Sequence, residues 1–148
     1  MLEFKRILYP TDFSPSGNRA LGIACELARR FGAELHVMHV VQDIAAIAAY
    51  GVTEAYLPVE WRKEVKAQAE KSLLEVPDAA VGAGVNVVRV VAEGAPYYEI
   101  LNYAKEQGVD LIVMGTHGRT GLPHMLMGSV AERVVREAPC AVMTIRPQ

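Results

Sequence analysis

The chain has 148 residues, 51% of them hydrophobic and 22% charged, with a formal net charge of -2. That length suits one domain with a sizeable core, residues 1–148, rather than two, and the composition is globular rather than disordered. The near-neutral charge gives no general reason to bind nucleic acid or an anionic membrane, and no apolar run approaches the ~20 residues needed to span a bilayer.

Residues 4–9 read as a first strand, ended by the turn formers of residues 10–16. A helix is expected over residues 16–31, with Ala20, Ile23, Ala24, Leu27, Ala28 and Phe31 on one face and Gly32 as its stop. Residues 34–41 are the second strand. Residues 42–60 are the least regular: 43–49 could form a short helix, while Gly51, Thr53 and Pro58 argue for a connection. Tyr50, Tyr56 and Trp61 read as ordinary packing, with a cover over a ligand as the alternative. A charged helix follows over residues 61–74, limited by Pro77.

Residues 85–91 are the third strand. Pro96 then opens a helix whose apolar side carries Ile100, Leu101 and Ala104 and which ends at Gly108. Residues 110–114 are the fourth strand, a glycine-rich loop and its helix reach Glu137, and Ala141–Ile145 is the fifth strand. Five strands alternating with four helices predict an α/β fold: a doubly wound, mostly parallel sheet with helices on both faces. Residues 1–8 lack the apolar core and cleavage site of a secretory signal, so a cytoplasmic location is expected. Cys25 and Cys140 have no metal or redox spacing and read as buried free thiols. His36 and His39 read as satisfied packing, and no metal site is expected at His117 and His124.

The loop after the fourth strand carries the chemistry. Backbone N–H groups in such a loop converge with those of the following helix's first turn to make an anion site. Ser129 and Glu132 fit a capping box that would open that helix. Glycine at 115, 118 and 128 would let phosphates approach the main chain and permit φ > 0 at the turns. No Lys-Ser or Lys-Thr follows at Walker A spacing, and the pattern is not G-x-G-x-x-G.

Gly115, Gly118, Gly128 and Ser129 spell G-x-x-G-x9-G-S, which resembles the ATP-binding signature of the universal stress protein family. The likeness spans the chain, including Pro10-Thr-Asp12 after the first strand. The resemblance implies strand order 3-2-1-4-5, an architecture like that of the adenine-nucleotide alpha-hydrolases, and a ligand between the ends of strands one and four. It also implies that Pro10, Thr11, Asp12 and Val40 hold adenine. Asp12 would accept a hydrogen bond from the exocyclic amine or a ribose hydroxyl, or else serve only the turn.

Met114 and Gly115 would border the ribose, and His117 and Gly118 would lie near the phosphates. Gly128, Ser129 and Val130 would supply phosphate-binding N–H groups and a hydroxyl, unless that hydroxyl is spent as the helix cap. Arg119 either reaches a terminal phosphate, worth roughly 1.5 to 3 kcal/mol, or is an exposed loop arginine with no measurable role. Mg²⁺ would arrive on the phosphates.

No base and no dedicated Mg²⁺ carboxylate pair is evident. The expected function is therefore an ATP-binding, nucleotide-dependent regulator or sensor in the stress response, acting on a protein partner. Hydrolysis or autophosphorylation would at most be slow. The alternatives are a weak ATPase or phosphotransferase using the same pocket, and a nucleotide-independent dimeric hub. If the fifth strand is a sheet edge, its unpaired backbone offers a homodimer contact through Ala141–Ile145.

Overall fold

Apolar residues alternate between two faces along each central strand, and both faces are covered. In a computed structural model, which describes residues 1–42, 59–118 and 126–147, the strands are β1 (Arg6–Pro10), β2 (Glu34–Gln42), β3 (Asn86–Gly94), β4 (Leu111–Gly115) and β5 (Ala141–Ile145). The helices are α1 (Asn18–Phe31), α2 (Val59–Leu73), α3 (Pro96–Glu106) and α4 (Ser129–Glu137), with a 3-10 turn at Pro15–Gly17. All strand pairs are parallel and the order is β3-β2-β1-β4-β5. This is the doubly wound sheet and the strand order expected. The short helix suggested for residues 43–49, with Tyr50 and Tyr56, lies outside the described residues.

One core cluster joins Ile7, Tyr9, Leu35, Val37, Leu111 and Val113 of the sheet to Ala20, Ala24, Cys25 and Ala28 of α1 and Leu73 of α2. The other joins Leu8, Met38, Val40, Ile112 and Met114 to Ile100 and Ala104 of α3 and Ala131 and Val134 of α4. Successive strand residues thus feed opposite layers, the period-2 geometry of a strand. Small side chains at 20, 24 and 28 form one stripe of α1, so that helix lies close to the sheet. Among the described residues, no helix is long and apolar enough to cross a membrane.

Several element ends moved. Gly32 ends α1 in the left-handed conformation, φ 64°, as expected. β3 runs to Gly94, three residues past the expected end, because β2 pairs with it over its whole length, from Glu34↔Asn86 to Gln42↔Gly94. Trp61, on α2, is exposed rather than packed, and Cys140 is only half-buried, whereas Cys25 is fully buried. Burial raises both thiols above their usual range, keeping them protonated.

At the end of the sheet where the parallel strands begin, Asp110 fixes the β1–β4 register. Its Oδ2 accepts from the backbone N–H of Lys5 (2.7 Å) and Arg6 (2.9 Å), while its own N–H donates to the Arg6 carbonyl (2.9 Å). Asp110→Ala is expected to lower the unfolding free energy by about 1 to 2 kcal/mol in a urea titration. An unchanged midpoint at equal slope would show that the carboxylate contributes nothing.

Candidate functional site

β1 and β4 lie side by side, yet the chain leaves them towards opposite edges and opposite faces of the sheet. The exits open a cleft of about 770 Å³ beyond the carboxyl ends of the strands, where a doubly wound sheet places its ligand.

The first wall is the segment after β1. Thr11 N–H still bonds to the Met38 carbonyl (2.8 Å), as though the strand continued. Two side chains then make the turn: Thr11 Oγ1 accepts from Phe13 N–H (3.0 Å) and Asp12 Oδ1 from Ser14 N–H (2.9 Å). Together they hold Phe13 at φ 65°, a left-handed conformation rare outside glycine. The Phe13 ring packs on His39, centroids 4.4 Å apart, and His39 Nδ1 lies 2.8 Å from the Thr11 carbonyl oxygen. A carbonyl only accepts, so Nδ1 carries the proton. His36 is satisfied as well, through Tyr103 Oη at 2.7 Å and Glu34 Oε2 at 3.3 Å.

The second wall is the glycine loop. Thr116 N–H bonds to the Ile145 carbonyl (3.0 Å), and Gly128 N–H to the Thr116 carbonyl (2.6 Å), which brings the far end of the loop back to its start. Thr116 Oγ1 meets His117 Nδ1 at 2.8 Å. A Cβ on Gly128 would lie 3.8 Å from the Gly118 nitrogen, and one on Gly118 would lie 2.7 Å from Asp12 Oδ2. The two walls therefore meet at Asp12 and Gly118. Ser16 Oγ–H adds a second tie, donating to the His117 carbonyl (3.1 Å).

The sequence pattern of the universal stress protein family matches residues 3–146. The chain belongs to that family. It is 36% identical over 147 residues to universal stress protein YxiE of Bacillus subtilis, covering 97% of this chain and 99% of that protein. Among solved structures it resembles MJ0577 of Methanocaldococcus jannaschii at a TM-score of 0.83 and 28% identity, covering 99% of each chain. A universal stress protein solved in complex with cAMP shares the fold at a TM-score of 0.72 and 23% identity, covering 98% of each chain.

In this universal stress protein the cleft is lined by Pro10, Thr11, Asp12, Val40, Met114, Gly115, His117, Gly118, Gly128, Ser129 and Val130. Each was expected at the site from sequence. Arg119 and His124 lie outside the described residues. Two expectations about the loop change. None of Gly115, Gly118 and Gly128 has positive φ, so the motif does not use glycine for a left-handed turn; of the three, Gly118 is the one with no room for a Cβ, which would meet Asp12 Oδ2. And Gly128, not Ser129, is the N-cap of α4, at φ -69° and ψ 161°, with no side-chain cap hydrogen bond.

The capping box does not form, because the helix begins one residue earlier than the box requires, at Ser129 instead of Val130. Glu132 N–H bonds to the Gly128 carbonyl (3.0 Å) and the Glu132 carboxylate pairs with Arg136 (2.6 Å) instead of reaching back. Ser129 sits at the first helical position, exposed at the cleft, with its hydroxyl not engaged as a cap. The N–H groups of Ser129, Val130 and Ala131 are in the first turn, which has no intrahelical acceptors.

Sequence reasoning missed part of the lining. Val65, Gln68, Ala69 and Ser72 of α2, together with Gly17, His39 and Gln42, also face the cleft. The spacing of 65, 68, 69 and 72 was the available signal, a helical stripe of small and neutral residues in an otherwise charged helix. The described lining carries one carboxylate, Asp12, and no lysine or arginine. Among the described residues no group of three or more His, Cys, Asp or Glu could hold a metal.

Behind the first wall, the Tyr9 hydroxyl donates to the Gly17 carbonyl (2.9 Å), and burial raises the phenol to about 12. A Cβ on Gly17 would lie 2.7 Å from that oxygen. Gly17→Ala is expected to destabilise the protein by about 1 to 3 kcal/mol, and by less in a Tyr9→Phe background. Equal costs in both backgrounds, measured by urea unfolding, would show that this contact is not the cause.

Proposed function

We propose that this universal stress protein binds ATP, with Mg²⁺ carried on the phosphates, and acts as a nucleotide-dependent regulator. The observation that carries the reading is the glycine wall. The uncapped first turn of α4, with the N–H groups of Ser129, Val130 and Ala131, stands beside the Gly118 backbone in a cleft that also carries apolar Val40, Val65, Ile100 and Met114. Such an arrangement fits a ligand with a flat apolar base and an anionic tail. The related fold solved with cAMP supports adenine as the base.

Individual roles are those that the family resemblance implies: Pro10, Thr11, Asp12 and Val40 form the base end, Met114 and Gly115 border the ribose, and His117, Gly118, Gly128, Ser129 and Val130 surround the phosphates. With no side-chain cap bond at the start of α4, the Ser129 hydroxyl is available as a donor beside its backbone N–H. With no lysine or arginine in the described lining, a triphosphate needs its charge met by backbone dipoles and by the Mg²⁺ it brings. Donors alone bind and orient phosphates. They do not activate a nucleophile, so binding rather than turnover is the output.

A Cβ at Gly115 would meet nothing closer than 3.5 Å, and one at Gly128 nothing closer than 3.4 Å. A Cβ therefore fits at both positions, and the larger side chain of valine is expected to obstruct the cleft there. At about a hundredfold excess over its Kd, Mg-ATP should stabilise the parent by ~2.7 kcal/mol, a rise in Tm of roughly 5 to 10 °C. Gly115→Val and Gly128→Val should remain folded and lose the rise. No rise in the parent at millimolar Mg-ATP, or an undiminished rise in both variants, contradicts the reading.

The regulator works as a homodimer. β5 is a sheet edge, paired with β4 on one side from Leu111↔Ala141 to Gly115↔Ile145. Its exposed Ala141 and Met143 put no charge on that edge, the kind of edge that invites pairing with a second copy. Light scattering after gel filtration should report a dimer for the parent and a monomer for Ala141→Lys/Met143→Lys. A parent that is monomeric at micromolar concentration contradicts the assembly.

A further inference from the structure

Three oxygens form a chain between the two walls of the cleft. Ser14 Oγ and Ser16 Oγ are 2.9 Å apart, and Ser16 Oγ lies 3.1 Å from the His117 carbonyl oxygen. A carbonyl has no proton to give, so Ser16 must donate to His117. Its one proton is then committed, so in the Ser14–Ser16 contact Ser14 is the donor. Both protons run towards His117, and Ser14 Oγ is left with lone pairs only.

From this polarity we infer that Ser14, a cleft-lining residue, accepts a hydrogen bond from a ribose hydroxyl of the bound nucleotide, and so makes the site prefer ribonucleotides. The assignment rests on the nucleotide reading above. Ser14 bridges the two walls: its N–H is bound to Asp12, and its hydroxyl is tied through Ser16 to His117. With Asp12 at the base and His117 at the phosphates, as in the reading above, the position between them is that of the sugar.

A fixed acceptor also suits the ligand's chemistry. Ionised phosphate oxygens are acceptors and find no partner in Ser14, whereas a ribose hydroxyl brings the proton that Ser14 lacks. A site that holds an acceptor for a substrate hydroxyl rejects the analogue without it, because the acceptor is left unpaired.

The test is calorimetric titration of the full chain with Mg-ATP, Mg-2′-deoxy-ATP and Mg-3′-deoxy-ATP, repeated on Ser14→Ala and Ser16→Ala, with unliganded Tm as the check on folding. The parent should bind at least one deoxy analogue roughly five- to tenfold more weakly than ATP. Ser14→Ala should bind ATP and that analogue equally. Ser16→Ala, which frees the Ser14 proton to turn, should reduce the ratio without abolishing it.

A parent with no ribose preference, or a Ser14→Ala protein that keeps the parent's ratio, overturns this assignment and leaves the nucleotide reading standing. Equal losses for all three nucleotides, present only with Mg²⁺, would place Ser14 at the metal's water shell and overturn it too. A parent that binds none of them overturns the nucleotide reading and this assignment together.

Discussion

β1 and β4 pair in parallel at Ile7↔Leu111 and Leu8↔Ile112, and both run out of partners at the same end of the sheet. The chain then turns to α1 on one face and to α4 on the other. Backbone groups at such a divergence cannot continue the ladder, and leaving them unpaired away from water is costly. Thr11 and Thr116 each make one last strand-like hydrogen bond, to Met38 and Ile145. Beyond them the N–H groups must be met by turns, side chains or solvent, and the cleft opens where the two chains diverge.

The two walls solve this differently. The segment after β1 satisfies itself: Thr11 and Asp12 bond back to Phe13 and Ser14, and a non-glycine residue is held at positive φ as the result. The glycine wall closes only its base, through the bond from Gly128 to Thr116, and α4 then starts without a side-chain cap. A self-satisfied wall is a rigid reference surface, and an open one is a set of donors. The walls come close at Asp12 and Gly118, and the Ser16 hydrogen bond to the His117 carbonyl ties one to the other. The glycine wall therefore presents mainly main chain to the cleft, and the closed wall presents the side chains of Thr11, Asp12 and Ser14.

Much of this was legible in the sequence, for identifiable reasons. The apolar run before Gly115 and the spacing of Gly115, Gly118 and Gly128 announce a strand, a loop with backbone access and a helix. What failed did so where one pattern has two meanings. Serine three residues before glutamate marks a capping box when the serine is the N-cap, yet here Gly128 takes that place. Glycine permits left-handed φ and also close approach, and in the fold Gly118 uses the second, against Asp12, while none of the three uses the first. The length of β3 depends on β2, a partner distant in sequence. The α2 wall was hidden because its lining stripe is short and neutral inside a helix that otherwise reads as solvated.

The central claim is that backbone N–H groups of the glycine wall bind the phosphates. The most direct measurement is the backbone amide spectrum of the ¹⁵N-labelled protein during titration with Mg-ATP. The account predicts that the amide signals of Gly115 to Gly118 and of Gly128 to Ala131 move most, saturably and together, while those near Asp110, at the other end of the sheet, stay in place. Saturable shifts centred elsewhere, or a glycine wall that does not respond at millimolar nucleotide, would contradict it.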